Sequence, residues 1–235
     1  MRAAAQTRRE RLRAETTAEI TTIAMSLLAE GGPDAISLRA IAREMGMTAG
    51  AIYDYFTTRD ELITRLITDV YTSLLDAVEA ARDECPPSDP GGRIRAWARA
   101  FREWALANPQ GFRLVYGDPV PGYRAPENGP AAELEHRACR GLTELVGAAW
   151  PHAQGRQSGI EHRWSDFSAE LTDDVRAEFP ELPPAAVALA LRVWGRMHGL
   201  VALEVYGHLR GQTRDPAKLY DAEMRDLVAS LGLDG

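Results

Sequence analysis

A short polar run in the first quarter of the chain has the residue types that bind phosphate. The run Thr48–Gly50 is followed closely by Tyr53, Tyr55 and Arg59. Hydroxyl and guanidinium groups donate hydrogen bonds to phosphate oxygens, and free N–H groups at the start of a helix hold a phosphate as well. The two small residues of the run would let a helix enter a groove about 12 Å wide. The pattern indicates contact with nucleic acid.

Helical periodicity predicts the first of the elements that position this run. Apolar residues recur at helical spacing from Ile20 to Leu28. Thr16 and Glu19 have the spacing of a capping box, which predicts that the helix begins after Thr16. The following Gly-Gly-Pro at 31–33 predicts its end.

Two shorter helices follow and place the polar run at the start of the third helix. Ser37 is a suitable N-cap for the second helix, and Thr48 is one for the third, over 49–55. Gly46 lies between them, where a tight turn needs a residue tolerant of positive φ. Ile52 and Phe56 have the spacing of an inward-facing pair. Three helices with this turn predict a helix-turn-helix.

The rest of the chain also has helical patterns, so we predict an all-α protein. Thr58 and Glu61 form a second capping box, which opens a long amphipathic helix. Proline, glycine and apolar spacing then predict helices over 58–84, 93–108, 110–116, 131–149, about 160–178, 184–209 and 216–231. The stretch 117–130 is rich in glycine and proline and is predicted to be a loop.

The stretch from Ser37 to Leu62 resembles the helix-turn-helix of the TetR family of transcriptional regulators. The matching positions are Ala42, Gly46, Thr48, Ile52-Tyr53, Phe56 and Thr58 to Glu61. The resemblance implies a DNA-binding domain over 1–60 and a C-terminal effector-binding and dimerisation domain over 61–235. Together with the polar run, it predicts that operator DNA is contacted by Ser37, Arg39, Thr48, Ala49, Gly50, Tyr53, Tyr55, Thr58 and Arg59.

Two positions of the reading region depart from the family pattern. Tyr55 stands where the family more often has histidine, and its hydroxyl preserves a phosphate-directed role. Asp54 places a carboxylate beside the reading face. This carboxylate either accepts a hydrogen bond from a cytosine amino group or faces solvent.

A basic segment precedes the reading domain although the whole chain has a net charge of -7. Residues 1–13 contain five arginines and one glutamate. Such a basic arm is either a solvated tail or a contact to phosphates or an adjacent minor groove.

The C-terminal body resembles one type of TetR-family C-terminal domain through Trp194, His198 and Gly199. The resemblance implies that the last two helices pair with their copies in a dimer. Small residues at helical spacing are predicted to form that interface: Ala188, Gly195, Gly199 and Ala202. Bulky residues are predicted to form the opposite face: Val187, Trp194, Met197, Val201 and Val205.

The resemblance also implies a mostly apolar pocket for an unidentified small-molecule effector. The candidate lining residues are aromatic or carry a single polar group: Trp97, Phe101, Trp104, Tyr116, Trp194 and His198. The alternative for each of them is a place in the core, or for His198 a helix histidine with its own partners.

No enzyme motif is complete in the sequence. Glu133-x-x-His136 matches half of a carboxylate di-iron motif without a second copy, and Cys85 and Cys139 lack metal-site spacing. No phosphate loop or nucleophile elbow is present. We therefore expect no catalytic residue, metal or cofactor.

Composition indicates a cytoplasmic protein that has no membrane partner. No run approaches the 18 or so apolar residues of a membrane span, and no signal peptide is recognisable. Two cysteines are too few for a disulfide framework, which favours a reducing compartment.

The leading hypothesis is a homodimeric repressor that a small effector releases from a palindromic operator. Two alternatives remain open from the sequence: a ligand-responsive activator, and a helical adaptor that binds other proteins.

Overall fold

The computed structural model describes residues 7–126, 129–157, 159 and 161–233. Within these ranges the chain forms α-helices and short 3₁₀ turns and no strand, which confirms the all-α prediction. The helices are α1 Arg8–Gly31, α2 Leu38–Glu44, α3 Ala49–Ile52, α4 Arg59–Asp83, α5 Pro90–Ala107, α6 Pro109–Tyr116, α7 Pro130–Ala153, α8 Ala169–Glu178, α9 Pro184–Val205 and α10 Pro216–Ser230.

The predicted start of the first helix is wrong by nine residues, about two and a half turns. Helix α1 begins at Arg8, and Thr7 caps it in a capping box with Glu10. Thr16 lies inside the helix, where its hydroxyl donates to the carbonyl oxygen of Leu12 at 2.9 Å. The described part of the basic arm is therefore helical, whereas residues 1–6 of that arm lie outside the described residues.

Four other predicted boundaries also need correction. Helix α3 ends at Ile52 instead of residue 55, and α9 ends at Val205 instead of residue 209. Helix α7 continues through Pro151 to Ala153. The predicted helix over 160–178 begins only at Ala169, after a 3₁₀ turn at Trp164–Asp166.

The chain divides into two compact units. Of the described residues, the first contains those from 7 to 72 and from 108 to 133, and the second contains those from 73 to 107 and from 134 to 233. This division does not coincide with the predicted boundary at residue 60. Helix α6 and the segment after it belong to the first unit, because Leu114 and Val120 are buried in its core.

The core of the first unit is built from helices α1 to α4 and α6. Its fully buried side chains include Ile20 of α1, Ile41 of α2, Ile52 of α3 and Leu62 of α4. Each short helix thus contributes an apolar anchor to one cluster, and this burial is what holds a helix of one or two turns in place.

Polar contacts in the second unit fix α5 to the last two helices. Arg102 of α5 makes a bidentate ion pair with Glu204 of α9, at 2.8 and 2.7 Å. The buried Tyr220 hydroxyl of α10 donates to the carbonyl oxygen of Ala98 at 3.0 Å. These bonds satisfy polar groups that would otherwise be costly to bury.

Helix α9 is the one described helix long and apolar enough, by length and composition, to cross a membrane. Core helices of globular proteins meet the same test, and nine residues of α9 are buried within the structure. Its apolar character is therefore explained by its position in the second unit.

Glycine 141 of α7 allows a tryptophan to pack against the helix backbone. A Cβ atom at this position would lie 2.6 Å from Cη2 of Trp97, whose ring is buried. We expect Gly141→Ala to lower the free energy of unfolding by about 1–2 kcal/mol, because overpacking outweighs the gain in helix propensity. Chemical denaturation measures this.

Gly155→Ala is the matched control, since a Cβ atom there meets nothing within 4 Å. It should leave stability unchanged or raise it by less than about 1 kcal/mol. Equal stability changes for the two variants would show that the close packing of Trp97 on Gly141 does not matter.

Candidate nucleic-acid interface

The turn between α2 and α3 has the tight geometry that the sequence predicts. Gly46 adopts a φ of +65°, in the left-handed region that favours glycine. The N–H of Met47 then donates back to the carbonyl oxygen of Ala42 at 2.8 Å. The Thr48 hydroxyl accepts from the N–H of Ala51 at 3.2 Å, which caps α3. The turn and its cap thus set the direction in which α3 leaves.

The start of α3 presents a small, polar surface to solvent. Thr48, Ala49 and Gly50 are all exposed, and Tyr53 is 44% exposed. A Cβ atom on Gly50 would meet nothing within 4 Å, so the fold itself does not require glycine there. Ile52 is fully buried beneath this surface, as predicted for the inward face.

The other predicted contacts lie at the starts of the neighbouring helices. Ser37 caps α2 by accepting from the N–H of Ala40 at 3.1 Å, and Arg39 is exposed on α2. Thr58 is exposed and accepts from the N–H of Glu61 at 3.1 Å. Hydrogen bonds from Thr57 hold the pKa of the Glu61 carboxyl below its usual range. The carboxylate therefore stays ionised beside the first turn of α4, where negative charge is favourable.

Arg59, a predicted phosphate contact, has its guanidinium bound within the first unit. Its guanidinium donates to the carbonyl oxygens of Pro33 at 2.8 Å, Ile36 at 2.9 Å and Pro121 at 3.3 Å. All three of its nitrogens are thus used within the first unit. Arg59 joins the α1–α2 connection to the segment after α6. A phosphate contact through its remaining N–H groups stays a prediction.

Tyr55 is held by an arginine that the sequence did not single out for this role. The Arg13 guanidinium lies 5.1 Å from the centre of the Tyr55 ring, and it donates to the carbonyl oxygen of Asp54 at 2.7 Å. Asp54 itself is exposed. The sequence signal that could have found this contact is the Thr7-x-x-Glu10 capping box. This box starts α1 before Arg13 and so places Arg13 on the helix.

The predicted dimer residues do not all lie on one open face of α9. Ala188 is buried, which contradicts its assignment to an interface. Gly195 is exposed, and Gly199 and Ala202 are half-buried. A Cβ atom on either glycine would meet nothing within 4 Å. The open part of the small-residue face is therefore limited to the second half of α9.

The predicted effector residues fall into separate groups. Phe101 and Trp194 flank His198, with ring centres 6.1 and 5.4 Å from it. Trp194 is 39% exposed, whereas the other four residues of the predicted bulky face of α9 are buried. Burial lowers the pKa of His198, which keeps its ring neutral at pH 7.

The remaining effector candidates have structural contacts of their own. Trp97 and Trp104 are buried on α5, and the indole N–H of Trp104 donates to the Ser73 hydroxyl at 3.0 Å. Tyr116 belongs to the first unit, where it packs on Tyr71 and Phe112 with ring centres 6.3 and 5.1 Å away. The six candidates therefore do not form a single cluster within one unit.

The histidine of the incomplete di-iron motif has a structural role. His136 lies between Asp174 and Glu178 of α8, at 3.1 and 2.8 Å, and the hydrogen bond to Glu178 is the main cause of its raised pKa. Among the residues that the structure describes, no group of histidine, cysteine and carboxylate side chains could hold a metal ion.

Comparisons with protein families match both parts of the chain. Residues 20–66 match the family described as "Bacterial regulatory proteins, tetR family". Residues 94–227 match "Tetracyclin repressor-like, C-terminal domain". Together the two matches cover most of the chain and include the α2–α3 turn, α9 and most of α10.

Whole-length relatives and solved structures agree with these matches. The chain is 35% identical over 232 residues to HTH-type transcriptional regulator Rv1816 of Mycobacterium tuberculosis and to HTH-type transcriptional regulator Mb1846 of Mycobacterium bovis, covering 95% of each chain. The crystal structure of SCO4313 is 38% identical, with a TM-score of 0.73, and the match covers 95% of this chain and 100% of that one.

A more distant structure has the same fold. The tetR-family regulatory protein from Rhodococcus RHA1 is 16% identical, with a TM-score of 0.66, and covers 93% of this chain and 98% of its own. The exposed, capped reading helix and the whole-length relatives lead to one conclusion: this chain belongs to the TetR family of transcriptional regulators and is a DNA-binding regulator, not an enzyme.

Proposed function

We propose that this regulator is a cytoplasmic homodimeric repressor, which binds a near-palindromic operator and leaves it when a small effector binds. DNA binding is supported above all by the surface of α3. Its exposed start is small and polar, and Gly50 borders open space that its own fold does not use. A surface of this kind suits close approach to the floor of the major groove.

In this proposal the residues at the edge of α3 contact phosphates and α3 itself reads the bases. Thr48, Tyr53 and Tyr55 carry hydroxyl groups beside the exposed start of α3, and Arg39 extends from α2. Phosphate contacts of this kind fix the register of the protein on DNA without reading sequence. Ala49 and Gly50 then allow the close approach that base contacts need.

An apolar groove between α9 and α10 supports the dimeric form. The groove, of about 680 Å³, is lined by Gly199, Leu200, Leu203, Leu219 and Ala222, with Arg196, Glu223 and Asp226 at its polar positions. Leu203 and Leu219 are each more than 40% exposed. Exposed apolar surface rimmed by charge is typical of protein interfaces, and a second copy would cover it in an isologous contact.

The aromatic group at α5 and α9 is the proposed place for the effector. Phe101, Trp194 and the neutral His198 offer aromatic rings with only three polar atoms, the two imidazole nitrogens and the indole N–H, which suits a mostly apolar ligand. The ligand must bind the conformation that does not bind DNA more tightly, because equal affinity for both states would shift nothing.

The first test is an electrophoretic shift with fragments from the region upstream of the gene. We expect one fragment to bind in preference to an unrelated duplex, and its site to contain two half-sites about 34–36 Å apart. Dimeric protein that binds no fragment more tightly than the unrelated duplex would contradict operator recognition.

Gly50→Leu tests the close approach of α3. The leucine should fit the folded protein, since nothing lies within 4 Å of the new Cβ atom. We expect at least a hundredfold weaker operator binding, because the side chain would collide with the groove. Fluorescence anisotropy measures the Kd, and thermal unfolding verifies the fold.

The control is Gly155→Leu, at another exposed glycine with open space around it. This variant should bind the operator like the wild type. Normal binding by Gly50→Leu would mean that α3 does not enter the groove in this orientation.

Gly199→Trp tests the dimer. The position borders open space within one chain, so the indole should be accommodated until a second chain approaches. We expect dimer affinity to fall more than about a hundredfold, or about 2.7 kcal/mol. Sedimentation velocity would then show monomers where the wild type is dimeric.

Leu203→Asp should give the same result, because Leu203 lines the groove. Leu106→Asp is the control, since Leu106 is also exposed but lies on α5 outside the groove lining. Dimers in both groove variants would place the interface elsewhere.

A further inference from the structure

The first two turns of α1 and the end of the reading region enclose a cleft of about 760 Å³. Three arginines, one aspartate, one leucine and one tyrosine line it: Arg8, Arg9, Leu12, Arg13, Asp54 and Tyr55. All of these residues are exposed except Tyr55, which is half-buried. The cleft therefore has an excess of positive charge and opens to solvent.

Arg13 makes its contacts within the wall of this cleft. Its guanidinium donates to the carbonyl oxygen of Asp54 and lies over the ring of Tyr55. This contact ties α1 to the chain that directly follows α3. The first turns of α1 consequently have a fixed position relative to the reading helix.

Arg8 and Arg9 line the same cleft and, unlike Arg13, do not bind its wall. Within the described ranges neither arginine has an ion-pair or hydrogen-bond partner among the side chains. They lie on the cleft side of α1, whereas Arg11 lies outside the lining and pairs with Glu15 at 3.9 Å. Two guanidinium groups thus face the cleft with their donors available to an outside partner.

We propose that the first two turns of α1 are a second DNA-contacting surface, in which Arg8 and Arg9 bind backbone phosphates beside the groove that α3 enters. Arg13 is a positioning residue, since it holds α1 against the end of the reading region. The occupant of the cleft is then the sugar–phosphate backbone of the same DNA duplex.

Two observations favour a DNA backbone as the occupant. The cleft is continuous with the reading surface, because Tyr55 and Asp54 belong to the chain that follows α3. Its charge is also complementary to phosphate, and guanidinium groups bind phosphate in a bidentate manner. The inference rests on DNA binding by this family and deepens the function proposed above.

The test compares Arg8→Ala and Arg9→Ala with Arg11→Ala, which removes the same charge from the same helix. The Kd is measured between 50 and 200 mM salt, on the operator and on an unrelated duplex. Each lost phosphate contact should reduce the log–log salt slope by about 0.9, or about 1.8 for a dimer. The loss of affinity between 50 and 200 mM salt should therefore be about 3.5-fold smaller for each contact removed.

Arg8→Ala and Arg9→Ala should weaken binding to both duplexes equally, because phosphates carry no sequence information. Arg11→Ala should leave the slope at its wild-type value. Slopes for Arg8→Ala and Arg9→Ala that equal that of Arg11→Ala would overturn the proposal. The salt slopes on the unrelated duplex can be measured even if no operator is found. Failure of this proposal can therefore be told apart from failure of operator recognition.

Arg13→Ala tests the positioning role separately. Loss of the contact to Asp54 should loosen the end of the reading region and reduce the ratio of operator to unrelated affinity at least threefold. A variant that keeps the wild-type ratio would show that Arg13 does not position α3.

Discussion

A reading helix of four residues cannot hold its own position, and the DNA-binding unit depends on the contacts that fix it. Ile52 anchors α3 from below, and the left-handed Gly46 and the Thr48 cap set its direction. Arg13 secures the chain just beyond it through Asp54. With the interior face fixed in this way, Gly50 on the exposed face borders space that the fold does not fill.

The same constraint explains why α6 and the segment after it belong to the DNA-binding unit. Arg59 joins Pro121 to the two carbonyl groups just before α2, and the hydroxyl groups of Thr64 and Tyr123 lie 2.9 Å apart. Leu114 and Val120 complete the core beneath these bonds. The reading helix is therefore supported by chain that lies more than fifty residues further along the sequence.

The sequence predicted what depends on local chemistry and missed what tertiary contacts decide. The caps at Ser37 and Thr48 and the turn at Gly46 need only neighbouring residues, and all three predictions are confirmed. The start of α1 was missed because Thr7 and Thr16 both head a capping box, and neither box by itself shows which one the helix uses.

Two further misses have the same physical origin. The inward turn of Arg59 depends on carbonyl groups that the sequence does not place nearby, including that of Pro121, 62 residues away. Val193 is fully buried and Trp194 is exposed, although both are apolar and adjacent. Neighbouring helix positions differ by about 100° in direction, and apolar residues occur on every side of α9, so periodicity could not separate them.

Methylation protection of an operator complex is the sharpest test of whether α3 enters the major groove. If it does, guanine N7, which lies in the major groove, is protected in two clusters about one helical turn apart. Protection confined to adenine N3, in the minor groove, would contradict it.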